Sequence, residues 1–330
     1  MAEEKSFSHF LDLPPETRML MVDKIEVEDR TRCSGCSKLC NKEVKKSKNY
    51  IYELIFHLYN DFPLIFVIYG SHENWYESRK GYVLKFKEEH GEKFIRCESL
   101  KVGLLWETKL SNSTDLIQLA IDYFKNLLKQ YQNAIKELEI AVPHPPFDST
   151  FINFEIKNLN NLRKLDITRG VDVQQLLSKT RKGLTHLSVQ DEINGKLLEN
   201  CEQIYQVQEY FRSPHTQLNN EQFLRLPAST VIISIGHLTE EDIFNFVRSW
   251  QNGTLRKKMK EYKWNLRNSK FDVKKMFGLF HVDYDGTIEK QLEIKHDKEA
   301  GKMARLKFSN YGGFHTTIQL ISSESNELYN

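Results

Sequence analysis

Three cysteines near the start of the chain, Cys33, Cys36 and Cys40, come nearest to a metal-binding pattern. Their spacing places the three thiols on one face of a helix. Tetrahedral zinc takes four ligands, however, and the nearest downstream donor, His57, lies in a segment with the residue pattern of a strand. Because free cysteine is among the most buried residue types, we expect small packed thiols and no metal site.

The sequence contains none of the common motifs of enzymes. It has no glycine-rich phosphate loop, no nucleophile elbow and no His-Glu-x-x-His zinc motif. The histidines are scattered: His144 stands between two prolines, whereas His186 and His281 fall in strand patterns. We expect each of them to pack or to face solvent rather than to act as a general base. The chain is therefore expected to use no cofactor and to catalyse no reaction itself.

The balance of charge argues against a dedicated nucleic-acid binder. Lys and Arg total 47 against 45 Asp and Glu, whereas such proteins carry a clear basic excess. Two basic clusters, 42–48 and 256–260, adjoin acidic residues and are interpreted as solvated faces. A further hypothesis is that the second cluster borders a surface for a target protein, because Arg, Tyr and Trp are enriched in binding hot spots. The candidate contact residues are Arg256, Tyr262 and Trp264.

The predicted compartment is the cytoplasm, the nucleus or both. The first ten residues hold no apolar signal segment, and the longest apolar runs, such as 64–69, are far shorter than the ~20 residues of a membrane span. The chain has five cysteines, an odd number, and is large enough to fold without crosslinks. Both properties favour a reducing environment without disulfides.

The three N-terminal cysteines belong to a stretch, 13–44, that predicts short helices. Pro14 and Pro15 stand where a helix accepts proline, in its first turn. The four consecutive apolar residues 19–22 then sweep most of the helix circumference, which a unit of some forty residues cannot bury by itself. The pattern therefore predicts a docking module whose surplus apolar surface is covered by a partner protein.

This stretch resembles an F-box over residues 7–50. The similarity is carried without a gap by Leu13-Pro14, by Glu28-Asp29-Arg30 and by Ser37-Lys38, with Cys40 where many F-boxes have an aromatic residue. The resemblance implies three helices that dock on a Skp-type linker protein of a cullin-RING (SCF) ubiquitin ligase. The positions that match the linker-binding motif are Leu13, Pro14, Met21, Val22, Ile25 and, more weakly, Val27.

The region after the F-box predicts strands and then a repeat. Period-two patterns at 50–59, 64–69, 82–87 and 94–106 predict an antiparallel meander over 49–110, and 115–132 predicts an amphipathic helix capped by Ser113 or Thr114. Farther on, apolar strand cores recur at intervals of 27, 22, 20 and 26 residues, within or close to the period of a leucine-rich repeat. The residues taken as equivalent are Leu138, Leu165, Leu187, Val207 and Ile233.

Residues 217–285 carry a second resemblance, to the type 2 F-box-associated domain of the large nematode F-box family. The order of features is similar: a helix at Gln-Phe-Leu-Arg-Leu, a strand at 230–235, and a helix that begins at Leu-Thr-Glu-Glu-Asp and ends in Trp-x-x-Gly. Thr239 and Asp242 predict a capping box for that helix, and Gly253 predicts its end. Strands are predicted at 279–284, 288–295, 303–308 and 315–320.

Together these features predict a mixed α/β protein with three regions. They are a three-helix F-box (1–48), a β-rich meander (49–110) and an irregular leucine-rich-repeat-like α/β solenoid flanked by antiparallel meanders (111–330). A compact α/β domain without a true repeat is the alternative fold. The predicted function is a non-catalytic, substrate-recognition subunit of an SCF-type ubiquitin ligase with a protein target. The alternative is a binding or scaffold protein whose F-box is not engaged in ubiquitination.

Overall fold

The computed structural model describes most of the chain beyond residue 50. The described residues are 51–59, 62–69, 80–101, 103–142, 157–168, 171–180, 183–190, 193, 198–199, 201–255, 258–266, 270–299, 301–311 and 315–322. The predicted F-box and its linker-binding positions lie outside them. The chain divides into two units, residues 1–143 with 154–162, and residues 144–153 with 163–330.

The first unit contains a six-stranded mixed sheet and one long helix. The strands are β1 (Ile51–Tyr59), β2 (Phe62–Tyr69), β3 (Lys80–Glu89), β4 (Glu92–Ser99), β5 (Gly103–Lys109) and β6 (Glu137–Ala141), and the helix is α1 (Leu116–Tyr131). The spatial order is β6-β1-β2-β3-β4-β5. Consecutive strands from β1 to β5 pair antiparallel, whereas β6 returns after α1 and pairs parallel with β1.

Helix α1 covers one face of this first sheet. It begins at the N-cap Asp115, whose carboxylate accepts hydrogen bonds from the backbone N–H groups of Ile117 and Gln118. Its buried stripe includes Phe124, whose ring centroid lies 5.0 Å from that of Phe56 on β1. The predicted helix is therefore present, but its cap is Asp115 rather than Ser113 or Thr114.

The second unit contains an eight-stranded mixed sheet with short helices between its parallel strands. In chain order the elements are β7 (Lys164–Ile167), α2 (Val173–Ser178), β8 (His186–Val189), a 3-10 helix (Ile204–Gln206), β9 (Tyr210–Gln217), α3 (Asn220–Arg225), β10 (Thr230–Ser234), α4 (Glu240–Gln251), β11 (Glu261–Asn265), α5 (Val273–Leu279), β12 (Glu289–Lys295), β13 (Met303–Tyr311) and β14 (His315–Ser322). The spatial order is β12-β13-β14-β11-β10-β9-β8-β7. Strands β7 to β11 pair parallel with one another, whereas β14 pairs antiparallel with β11 and β12 to β14 extend the sheet antiparallel.

One face of the second sheet forms the core of this unit. Along β7, β10 and β11 alternate residues are buried, as expected when successive side chains point to opposite faces. Helices α3 and α4 pack on this face through Phe223 and Phe246, which contact Tyr262 and Trp264 of β11 at centroid distances of 4.8–6.0 Å. On this face the successive cross-strand neighbours from β7 to β11 are Leu165, Leu187, Phe211, Val231 and Tyr262.

The predicted fold class is wrong in its main part, the leucine-rich-repeat-like solenoid, whereas the predicted three-helix F-box lies outside the described residues. The described residues are mostly strand, and in each unit parallel and antiparallel strands share one mixed sheet. Leu165, Leu187, Phe211, Val231 and Tyr262, the successive residues of the observed register, are 22, 24, 20 and 31 residues apart. The described α-helices between their strands range from the six residues of α2 to the 12 residues of α4. A solenoid stacks similar units on their neighbours, and connections this unequal do not provide them.

The proposed repeat equivalents also fail at two positions. Val207 follows the 3-10 helix and precedes β9, where Phe211 pairs with Leu187 instead. Ile233 pairs with Ser213, so it lies one pleat beyond the true equivalent, Val231. An apolar pattern with period two locates a strand, but it does not determine which residue faces which across neighbouring strands.

Two further predicted strands differ in the structure. The segment 94–106 splits into β4 and β5 at a turn that ends at Gly103, whose φ is +88°. The segment 279–284 is not a strand, because α5 runs through Leu279 and the chain then folds back until Tyr284 stacks on Phe277. The β-forming residues at 279–284 do not make a strand, because the N-cap Asp272 and the burial of Phe277 favour the preceding helix α5.

Candidate interaction surface

The second face of the eight-stranded sheet carries the candidate site. We call it the open face and define it by the residues of β7 to β14 that alternate with the core residues. Two cross-strand rows run across it in register. Row one is Lys164, His186, Tyr210, Thr230, Glu261, Ile321 and Arg305, and row two is Asp166, Ser188, Arg212, Ile232, Lys263, Gln319 and Lys307.

The open face is polar and mostly half-buried, in contrast to the core face. Of the two rows, Ser188 is buried, Arg305 is exposed, and the others lie between these classes. Side chains on a sheet surface lie over their cross-strand neighbours, so long polar residues partly cover one another. The result is a surface with fixed positions for charge and hydrogen bonding.

An aromatic and ionic cluster occupies row one at β8 and β9. The rings of His186 and Tyr210 stack at 5.9 Å with an interplanar angle of 26°, and His186 Nε2 lies 3.8 Å from a carboxylate oxygen of Glu209. Burial raises the pKa of the Tyr210 phenol, and the hydrogen bond and positive charge of Arg212 oppose that shift. The phenol therefore stays protonated at neutral pH and can donate a hydrogen bond.

Row two carries two cations near the middle of the sheet, Arg212 on β9 and Lys263 on β11. Ile232 separates them in the register, which places their Cα atoms about 10 Å apart, two strand spacings. Neither cation forms a salt bridge with a carboxylate in the part of the chain that the structure describes. At the far end of the sheet, by contrast, Lys307 lies 3.7 Å from a carboxylate oxygen of Glu289.

Ser188 is the buried member of the open face. It is 6% exposed, and its hydroxyl has no hydrogen-bond partner among the described residues. Its register neighbours are Asp166 on β7 and Arg212 on β9. Because a buried hydroxyl is normally hydrogen-bonded, its position beside a cation marks a place where an added acceptor is favourable.

The structure places Tyr262 and Trp264 in the core rather than on a surface. Both are 0% exposed, and the Tyr262 hydroxyl donates a 2.8 Å hydrogen bond to the Ala228 carbonyl. Burial raises the pKa of the Tyr262 phenol. Their side chains alternate with Lys263, which is the member of this segment on the open face. The alternation in Glu-Tyr-Lys-Trp-Asn was the pattern that distinguishes the two faces, since three polar residues flank two aromatic ones.

The remaining candidate residues lie outside the described residues. They are Arg256 and the linker-binding positions Leu13, Pro14, Met21, Val22, Ile25 and Val27. Cys33, Cys36 and Cys40 lie there as well, whereas His57, considered as a fourth zinc ligand, hydrogen-bonds Glu139 at 2.7 Å. Within the described ranges, no group of His, Cys, Asp and Glu is arranged to hold a metal ion.

Comparisons with known proteins assign no family to this chain. No protein-family model matches it, and neither a curated protein nor a solved structure does. In the part of the chain with described structure, no helix combines the length and hydropathy that a bilayer crossing requires. The functional argument therefore depends on the residues themselves.

Proposed function

We propose that the protein is a substrate-recognition adaptor of an SCF-type ubiquitin ligase. The observation that carries the proposal is the ungapped resemblance of residues 7–50 to an F-box, with Leu13-Pro14 at the start of the first predicted helix. In this role the F-box-like segment 7–50 binds a Skp-type linker protein, which connects the chain to a cullin scaffold. The protein target is bound elsewhere on the chain, and the open face is our candidate for that contact.

The chemistry of ubiquitin transfer belongs to a recruited enzyme in this proposal. The adaptor acts by proximity, because it holds a lysine of the target near the charged conjugating enzyme and so raises its effective concentration. This division of labour requires no general base, metal or cofactor in the adaptor. It requires a binding surface with fixed side-chain positions, and the polar rows of the open face supply one.

The linker contact is proposed to be apolar. Met21, Val22 and Ile25 match the linker-binding motif, and a forty-residue helical unit has too small a core to bury all of its apolar residues. A charge placed among them has to be desolvated on docking, which is unfavourable without a partner of opposite sign. A single charged substitution should therefore abolish the contact.

The test is co-purification of the full chain with a Skp-type linker and a cullin. We expect the wild-type chain to retain both proteins, Met21→Glu to lose them, and the matched control Lys24→Glu to retain them. Tryptophan fluorescence during urea unfolding establishes that the region after the F-box-like segment, which holds all four tryptophans, folds in each variant. A folded wild-type chain that retains no linker refutes the proposal. Retention of the linker without the cullin also refutes it and favours a scaffold protein outside ubiquitination.

A further inference from the structure

We propose that the open face, centred on Arg212 and Lys263, binds an acidic segment of a partner protein. This inference rests on the proposed role of the open face in target recognition, and it specifies the chemistry of the target. The first argument is charge. Both cations are half-buried and make no salt bridge with a described carboxylate, although charged side chains removed from water are normally paired.

The cations at the β12 edge of the sheet show the contrast. Lys307 pairs with Glu289 at 3.7 Å, and Arg305 pairs with Glu293 at 3.8 Å. In row two, the positive charge without a carboxylate among the described residues is therefore that of Arg212 on β9 and Lys263 on β11. Carboxylates from a partner complement it at two points about 10 Å apart.

The second argument is the hydroxyl of Ser188. Ser188 is 6% exposed, its hydroxyl has no hydrogen-bond partner within the described structure, and its register neighbours are Asp166 on β7 and Arg212 on β9. A carboxylate that pairs with Arg212 lies beside this hydroxyl and can accept its hydrogen bond. One acidic residue of the partner then satisfies a cation and a buried donor together.

A protein segment fits the open face better than a nucleic acid does. Ile232 stands between the two cations in the register, and the stacked rings of His186 and Tyr210 lie in row one on β8 and β9. Glu261 precedes Lys263 by two residues on β11, and Asp166 lies in row two on β7. A nucleic acid carries a negative charge at every phosphate, so part of its backbone is repelled by these two carboxylates, whereas a peptide can place acidic side chains at the two cations and apolar ones elsewhere. The whole chain is also nearly neutral, at a formal +2.

The test measures binding of defined probes to the full chain by fluorescence anisotropy. The acidic probe is a short fluorescein-labelled peptide of alternating glutamate and threonine. The comparison probes are the lysine–threonine peptide of the same length and a labelled single-stranded oligothymidylate. The variant is Arg212→Gln/Lys263→Gln. The matched control, Lys270→Gln/Lys274→Gln, removes the same charge from two exposed lysines that lie outside both rows.

We expect the acidic peptide to bind more tightly than either comparison probe. The double variant should weaken it by about tenfold or more, because two half-buried charge pairs are lost, whereas the control variant should stay within about twofold. Tighter binding of the oligothymidylate overturns the inference in favour of a nucleic-acid surface. Acidic-peptide affinity that is absent, or equal in the two variants, also overturns it.

Ser188→Ala provides an independent test of the contact between the Ser188 hydroxyl and a carboxylate of the partner. Removal of a buried hydroxyl that has no partner should leave the thermal midpoint unchanged or raise it, while the acidic peptide binds less tightly. A lowered midpoint with unchanged affinity assigns the hydroxyl a structural role and removes the second argument. The linker-binding assay used for Met21→Glu separates the two proposals. A wild-type chain that binds the linker but not the acidic peptide contradicts only this inference. A wild-type chain that binds the acidic peptide but not the linker contradicts only the ligase role.

Discussion

Replacement of Tyr262 by Phe distinguishes a core role of this residue from the surface role that its sequence context suggested. The substitution keeps the ring and deletes the hydroxyl that donates to the Ala228 carbonyl at 2.8 Å. Both residues are 0% exposed, so water cannot replace the lost donor. A neutral hydrogen bond contributes about 0.5–1.5 kcal/mol, and a buried group left without a partner costs about 1–3 kcal/mol.

We therefore expect Tyr262→Phe to lower the free energy of unfolding by about 1–2 kcal/mol. The ring contacts remain, because Tyr262 packs against Phe246 at 4.8 Å and against Phe223 at 5.9 Å through carbon atoms. The m-value should not change, since the same surface is exposed on unfolding. With an m-value of about 2–3 kcal/mol per M, the urea midpoint falls by about 0.5 M.

The assay is urea unfolding followed by tryptophan fluorescence, with Tyr123→Phe as the matched control. Tyr123 on α1 is 38% exposed, and its loss of a hydroxyl should change stability by less than about 0.5 kcal/mol. If both variants shift the midpoint equally, the phenol of Tyr262 is solvated and the core assignment is wrong. If Tyr262→Phe loses partner binding while its urea midpoint is unchanged, Tyr262 likewise belongs to a binding surface and not to the core.

Three further variants test local features of the second unit. Thr239→Ala removes the N-cap of α4 and should cost about 1 kcal/mol, measured by urea unfolding. Gly236→Ala should cost more than about 1 kcal/mol in the same assay, because φ is +53° and a Cβ would meet Gln217 at 2.7 Å. Burial alone would raise the pKa of Glu240, but hydrogen bonds from backbone N–H groups and from Lys275 lower it overall. The contribution of the Glu240 carboxylate to stability is present above the ordinary carboxyl pKa and is lost as the pH falls through the lowered pKa. Glu240→Gln should therefore flatten the acid limb of a stability–pH curve. An unchanged acid limb would contradict the stabilising role of this carboxylate.

Helix α4 shows how far local sequence can determine structure. The capping box of Thr239 and Asp242 is formed as predicted, with the Asp242 carboxylate 2.9 Å from the Thr239 backbone nitrogen. Gly253, predicted to end the helix, has φ of +69°. These interactions join residues within one turn of each other, so their geometry depends little on the rest of the chain.

Tyr262 and Trp264 show where local sequence was insufficient. Their aromatic character fits a binding hot spot and a core equally well, and composition does not separate the two. The decision comes from Phe223 on α3 and Phe246 on α4, which cover β11 on that face. Lys263, between the two aromatic residues, was not considered as a site residue although it lies on the open face.

The sequence by itself determined the capping box of α4, most strand positions and much of the alternation of buried and polar residues, because these follow from backbone geometry over a few residues. Only the tertiary structure decided that the strands form mixed sheets, that Phe211 rather than Val207 faces Leu187, and that Arg212 and Lys263 share a row. Cross-strand register depends on which residues from distant segments meet to bury a common face. That choice is made by packing between elements, which no local pattern contains.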